Sequence, residues 1–163
     1  MMILVTGGMG YIGSHTVVEL LNSNYEVVVV DNLSNSSILV KDRIKKITNK
    51  DFKFYNVDVT DKESLKKVFE ENKIDSIIHF AAFKAVGESV EKPLEYYENN
   101  LVGALVVFEL MKEFNVNNFV FSSSATVYGK PKSCPIKEDF SLSTTNPYGA
   151  TKLMIEDIMR DLS

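Results

Sequence analysis

The chain has one cysteine, Cys134, which rules out an internal disulfide and a cysteine-rich metal site. That scarcity fits a reduced, cytoplasmic setting. It has two histidines, His15 and His79. They stand far apart in sequence and read as packing or local hydrogen-bonding residues, so no metal is expected. Positive charge is not in excess: a net charge of −4 and a pI of about 5.3 leave no electrostatic footprint for nucleic acid. A small dinucleotide is not excluded by that balance, because local backbone dipoles can hold it. No apolar run approaches the about 20 residues of a membrane-spanning helix, so no membrane partner is expected. The first twelve residues lack a basic segment followed by a long apolar run, and no signal peptide is expected. Repeats and low-complexity tracts are absent. What remains is 163 residues, 45% hydrophobic and 25% charged. That suits one compact soluble domain, residues 1–163, able to bury its own core.

Short β-branched runs alternate with longer helical patterns. "MILVT" (2–6), "YEVVVVD" (25–31), "FKFYNV" (52–57), "DSIIHFAA" (75–82) and "NFVFSS" (118–123) read as strands. Most are near-continuous apolar runs, as in parallel strands covered on both faces. Helices are expected over about 12–22, 38–47, 61–71 and 93–114, with Thr60 and Glu63 as a capping box for the third. A terminal amphipathic helix follows Pro147. The alternation predicts an α/β fold: a doubly wound parallel sheet with right-handed crossovers. Residues 128–147 form a long polar loop, and long loops in compact domains are often functional. The helix over 93–114 is apolar nearly all round, so it is buried on more than one side, with a partner subunit as one candidate cover.

The turn after the first strand reads "TGGMGYIGSH". Gly8, Gly10 and Gly13 give G-x-G-x-x-G, and Gly7, Gly10 and Gly13 give G-x-x-G-x-x-G. Between strand and helix, such glycines let backbone approach a pyrophosphate, which then meets the positive end of the helix. Asp31 ends the second strand, where a carboxylate can accept both ribose hydroxyls of NAD and repel the 2′-phosphate of NADP. The small polar residues that follow (Asn32, Ser34, Asn35, Ser36) can reach a ribose or adenine, or simply form a loop. Asp58 ends the third strand, either as an acceptor for the adenine amino group or as a helix cap.

At the other end, Tyr148 and Lys152 stand i and i+4, on one helical face. An unperturbed phenol is a poor base at neutral pH. A neighbouring ammonium favours its ionised form, which moves it toward useful general-base chemistry. Alone the spacing is weak, and an ordinary surface pair would show it too. Its weight comes from the glycine turn, from Asp31, and from Ser124, just past the fifth strand and able to bond the same substrate hydroxyl.

The strings "VTGGMGYIGSHT", "IIHFAAFKAVGESVEKPLEYYENN", "FVFSSSATVYG" and "NPYGATKLMIED" together resemble the extended short-chain dehydrogenase/reductase family. Within it they look most like the branch that epimerises UDP-hexoses at C4. The resemblance covers the whole chain. It implies a Rossmann-type fold, NAD as cofactor, and interconversion of UDP-glucose and UDP-galactose through a transient 4-keto sugar, in galactose metabolism. It makes Ser124, Tyr148 and Lys152 catalytic. The cofactor contacts it implies are Gly7, Gly10, Tyr11, Ile12, Gly13, the segment Asp31–Ser36 including Leu33, and Asp58 with Val59. Phe80, Ala81, Ala82, Phe83, Lys84 and Asn100 join them, as do the catalytic three. Lys84, Ala85 and Val86 fall beside the sugar, with Ser124 and Tyr148. The family also implies a homodimer through helices 93–114 and 148–162. Its members are much longer, so the substrate domain with the uridine and most hexose contacts is expected to be absent from this chain, and 1–163 alone is expected to be inactive. Two alternatives stand beside this reading. One is an NAD-binding module without turnover. The other is a sugar-nucleotide dehydratase, which would call for acidic residues beside Ser124, where "SSSAT" has none.

Overall fold

The structure, a computed structural model, describes every residue from Met1 to Ser163. Five strands are formed: β1 (Met2–Thr6), β2 (Glu26–Val30), β3 (Lys53–Tyr55), β4 (Ser76–His79) and β5 (Asn118–Phe121). The helices are α1 (Tyr11–Asn22), α2 (Leu39–Thr48), α3 (Lys62–Glu71), α4 (Val86–Glu91), α5 (Pro93–Tyr97), α6 (Gly103–Glu113) and α7 (Pro147–Leu162). The chain divides into two compact units, one made of Met1–Ala81 with Gly103–Ser122, the other of Ala82–Val102 with Ser123–Ser163.

The first unit is built on an all-parallel sheet of order β3-β2-β1-β4-β5. Side chains alternate across a strand, so β1 and β2 each feed two cores. Leu4, Val28, Val30 and Ile77 meet Leu65, Val68 and Phe69 of α3 and Val106, Val107 and Leu110 of α6. Ile3, Val5, Val27 and Val29 meet Val17 and Leu21 of α1 and Ile44 of α2. Each fully buried aliphatic side chain contributes about 1.5–3 kcal/mol. Helices on both faces are why Val27–Val30 is a continuous apolar run rather than an alternating one. The doubly wound parallel sheet read from the sequence is the fold observed.

Several boundaries differ from the sequence reading. The third helix does not start with Thr60 and Glu63. Its cap is Asp61, whose side chain accepts from Ser64 N at 3.1 Å. Thr60 is drawn the other way: its amide and hydroxyl both donate to Asp58 Oδ1, at 2.9 and 2.7 Å. β4 stops at His79, and Phe80–Ala82 leave the strand. His79 is buried, its Nδ1 2.7 Å from Thr6 Oγ1, and its ring lies against Phe119 and Phe121.

In the second unit, Asn146 caps α7 by accepting from Gly149 N at 2.8 Å, and Pro147 takes the first helical turn, where its missing N–H costs nothing. The short helix α4, with glycine and two valines in six residues, gave no periodic signal. The stretch expected as one helix over 93–114 contains a π-helical turn, Glu98–Val102, between α5 and α6. No helix is long and apolar enough to cross a membrane.

Candidate active site

In the first unit, β1 and β4 are neighbours at the point where the strand order reverses. Open α/β sheets bind ligands there, at the carboxyl ends of the strands. Gly7 follows β1 with φ of 67°, and an added Cβ would lie 2.7 Å from Ala81 N and 2.9 Å from Phe80 C. At Gly13 an added Cβ would overlap the Gly7 carbonyl oxygen. Bare backbone is therefore required along this turn. No side chain caps α1, and Tyr11 and Ile12, its first residues, are 77% and 55% exposed. An uncapped helix start presents unpaired N–H groups and a partial positive charge. A turn whose strands of backbone pack too closely for any side chain, opening on such a helix start, fits a dinucleotide pyrophosphate.

Asp31 is buried at the end of β2. Its Oδ2 accepts from Met9 N at 2.9 Å, tying it to the glycine turn. Its Oδ1 accepts from Leu33 N at 2.9 Å and Ser36 Oγ at 2.8 Å, so the 31–36 segment wraps the carboxylate. Leu33 takes φ of 57°, a left-handed conformation that non-glycine residues avoid. Asn32 Nδ2 donates to Asp58 Oδ2 at 2.8 Å, and Ser34 N donates to Asn32 Oδ1 at 3.0 Å. Burial pushes the Asp58 carboxyl up, but bonds from the Thr60 hydroxyl, the Thr60 amide and Asn32 outweigh it and hold the group below the usual carboxylate range. Asn35 is exposed, Val59 is buried in the core beside Gly103, and Phe80 N donates to Thr6 O at 3.0 Å.

The second unit carries the residues expected to do chemistry. Lys152 Nζ lies 5.9 Å from the centre of the Tyr148 ring. Lys152 as a whole is only 3% exposed. Burial, and secondly the charge of Lys84, pull its pKa down to about 8. Ser124 Oγ accepts from Thr126 N at 3.2 Å and from Thr126 Oγ1 at 2.9 Å. With its acceptor side used, its own proton is available to donate. An added Cβ at Gly149 would sit 3.1 Å from both Thr126 O and Thr126 Oγ1. The first turn of α7 thus rests directly on the turn that follows Ser124. Ser123 Oγ donates to Glu156 Oε1, a further tie between these two segments. Lys84, Ala85 and Val86 are exposed, and Ala82 and Phe83 are half-buried. Asn100, expected at the cofactor, is buried and spends its side chain on the backbone of Phe83 and on Thr151. Thr126, Gly149, Thr151 and Glu156 drew no attention in the sequence. Their part here depends on what folds against them, and spacing carries no sign of it.

The sequence model of the GDP-mannose 4,6 dehydratase family matches residues 4–163. The chain belongs to that family. The individual proteins to which it is similar carry a different activity in their names. The chain is 62% identical over 162 residues to the UDP-glucose 4-epimerase of Bacillus subtilis, covering 99% of this chain and 48% of that protein. Among solved structures it is similar to UDP-glucose 4-epimerase from Bifidobacterium longum in complex with NAD+ and UDP. The TM-score is 0.98 and the identity 53%, over 99% of this chain and 49% of that one. It is also similar to the epimerase of Stenotrophomonas maltophila with bound NAD and formylated UDP-arabinopyranose (TM-score 0.96, 44% identity, 99% and 48% covered). The chain spans about half the length of the curated relatives it matches.

Proposed function

We propose that this family member binds NAD and supplies the proton-transfer residues of an epimerase acting at C4 of a UDP-hexose. The observation that carries the reading is the buried Lys152 ammonium beside the Tyr148 ring, in a chain 62% identical to a UDP-glucose 4-epimerase. The cofactor contacts of the first unit are the glycine turn with Tyr11 and Ile12, the Asp31–Ser36 segment, Asp58 with Val59, and Phe80 with Ala81. Those of the second are Ala82, Phe83 and Lys84, with the catalytic three. Asp31 favours NAD over NADP, because a 2′-phosphate would meet its carboxylate. When bound, NAD supplies a place for the hydride of the sugar's C4 to be held and returned.

The rest is done by the chain's own side chains. Tyr148 takes the proton of the C4 hydroxyl as the 4-keto sugar forms, and gives it back when the sugar is reduced on its other face. Ser124 donates its free proton to the same sugar oxygen and orients it. Lys152, with a pKa of about 8, is still mostly charged at pH 7 and places its positive charge beside the Tyr148 ring. Lys84, Ala85 and Val86 stand beside the hexose.

The test is a coupled assay of UDP-galactose conversion. Joined to the C-terminal half of the Bacillus subtilis relative, the chain is expected to turn over. Alone it is expected to bind NAD more tightly than NADP and to convert little, because remote binding energy must position the reacting carbon. A folded, NAD-loaded fusion with no turnover would favour the plain NAD-binding module. Robust turnover by 1–163 alone would refute the account of the uridine contacts.

A cytoplasmic location and a homodimer complete the proposal. Apolar side chains lie exposed on the two helical stretches concerned: Leu94, Val102 and Leu105 on the first, Met154 and Leu162 on the second. A dimer is expected in sedimentation at tens of micromolar, and a clean monomer there would reject it.

A further inference from the structure

The helix α4 begins at Val86 behind Ala85, whose methyl group cannot cap it. In a capping box, a glutamate or glutamine at the third helical position reaches back to the N–H of the cap residue. Glu88 holds that position in α4, but a tyrosine of the next helix stands between it and Ala85. Tyr96 of α5, only 1% exposed, accepts from Ala85 N at 3.1 Å and donates to Glu88 Oε2 at 2.9 Å. The box is closed through a phenol.

The direction of these bonds is fixed. Bonds from Tyr96 and then from Lys92 hold the Glu88 carboxyl below its usual range, so at neutral pH it is ionised and only accepts. Burial, and secondly the bond to Glu88, push the Tyr96 hydroxyl up, so it keeps its proton. The same segment is tied twice more. Ser89, fully buried, donates from N to Ala85 O at 3.0 Å and from Oγ to Val86 O at 2.7 Å. The Tyr96 ring also lies against Phe83, 5.5 Å between centres. The backbone of Ala85 and Val86 is thus held from the interior, while Lys84, Ala85 and Val86 stay exposed. A cation beside a small apolar surface suits a hexose, which carries hydroxyls on its rim and C–H groups on its faces.

We propose that Tyr96 and Glu88 are positioning residues for the sugar end of the substrate: their relayed cap holds Lys84–Val86 in the shape that meets the hexose, and so sets affinity for the UDP-hexose. The proposal rests on reading Lys84–Val86 as the sugar-side segment. Its own content is the dependence of that segment on a hydroxyl carried by α5.

The test begins with amide exchange in the chain labelled with ¹⁵N at alanine, the Ala85 signal being identified by its loss in Ala85→Gly. Tyr96→Phe keeps the ring and leaves Ala85 N without its acceptor. Exchange at Ala85 is expected to be about 10-fold faster, while Ala150, bonded to Asn146 O within α7, keeps its parent rate. In the fusion with the relative's C-terminal half, KM for UDP-galactose is expected to rise about 10-fold, with kcat and NAD affinity near the parent values. A general loss of folded protein would instead lower kcat and leave KM in place. Glu88→Ala is expected to shift both readouts in the same direction, and Glu88→Gln, which keeps an accepting oxygen, to restore them. Glu88 is exposed, so Glu88→Ala carries the test should Tyr96→Phe fail to fold. Unchanged exchange at Ala85, a parent-like KM or a loss confined to kcat in the folded variants overturns the proposal. Failure of the functional reading shows differently, as a parent fusion that neither binds nor converts UDP-galactose whatever the exchange at Ala85, and that overturns the sugar-side role as well.

Discussion

Tyr148→Phe is expected to lower UDP-galactose conversion about 10²–10⁴-fold in the fusion with the relative's C-terminal half. NAD affinity and melting temperature are expected to stay near the parent values. The substitution removes one oxygen and almost no volume. The ring that faces the Lys152 ammonium at 5.9 Å is kept, and so is the carbonyl that receives Thr151. What is lost is the atom that, in the proposed mechanism, takes and returns the sugar proton. Ser124 cannot replace it, because its acceptor side is engaged by Thr126. The checks are initial rates at saturating substrate, a cofactor titration and a thermal melt on the same samples. Turnover within a few-fold of the parent would remove Tyr148 from the mechanism.

Lys152→Met is expected to do two opposite things: weaken NAD binding and stabilise the chain. Burial of the ammonium, helped by Lys84, brings its pKa to about 8 from 10.5. Below pH 8 both the folded and the unfolded chain carry the charge, and the fold bears the full cost of burying it. Between pH 8 and 10.5 the folded chain releases the proton while the unfolded chain keeps it, so parental stability rises through that window. The full difference is about 3 kcal/mol, at 1.36 kcal/mol per unit. Methionine fills the same space without charge. Urea denaturation at neutral pH is therefore expected to find the variant about 1–3 kcal/mol more stable than the parent, with the gap closing as pH approaches 10.5. A variant less stable than the parent at pH 7, or a gap that widens with pH, would show that the buried charge is not the source. Residues kept for chemistry at a cost in stability are common at active sites.

How much of this was legible in the sequence depended on how local each signal was. The sheet was legible because strands covered on both faces are nearly continuous apolar runs, as Met2–Val5 of β1 and Val27–Val30 of β2 are. The glycine turn was legible because its close approaches need residues without Cβ. The spacing of Tyr148 and Lys152 gave their common face, since four residues make about one helical turn. Burial of Lys152 was not legible, because the segments that cover it come from elsewhere in the chain. The start of α3 was misplaced by one residue because Thr60, Asp61 and Ser64 all have capping chemistry. Only the competing claim of Asp58 on Thr60 decides among them. The π-helical turn has no compositional mark: "ENNLV" reads as ordinary helix, and its reason lies in Phe83 and Thr151, which a linear reading does not place beside it.

The turn around Asp31 has a bearing on timing as well as on shape. Met9, Leu33 and Ser36 hold its carboxylate within the chain itself, and Leu33 stays in its left-handed conformation to make this possible. The ordering of that corner is then completed during folding, and its backbone strain is drawn from the stability of the sheet. On the proposed reading, a dinucleotide arriving there finds a finished receptor. Its association is governed by diffusion and desolvation rather than by the rate at which a loop reorganises, and little conformational entropy is left to lose on contact.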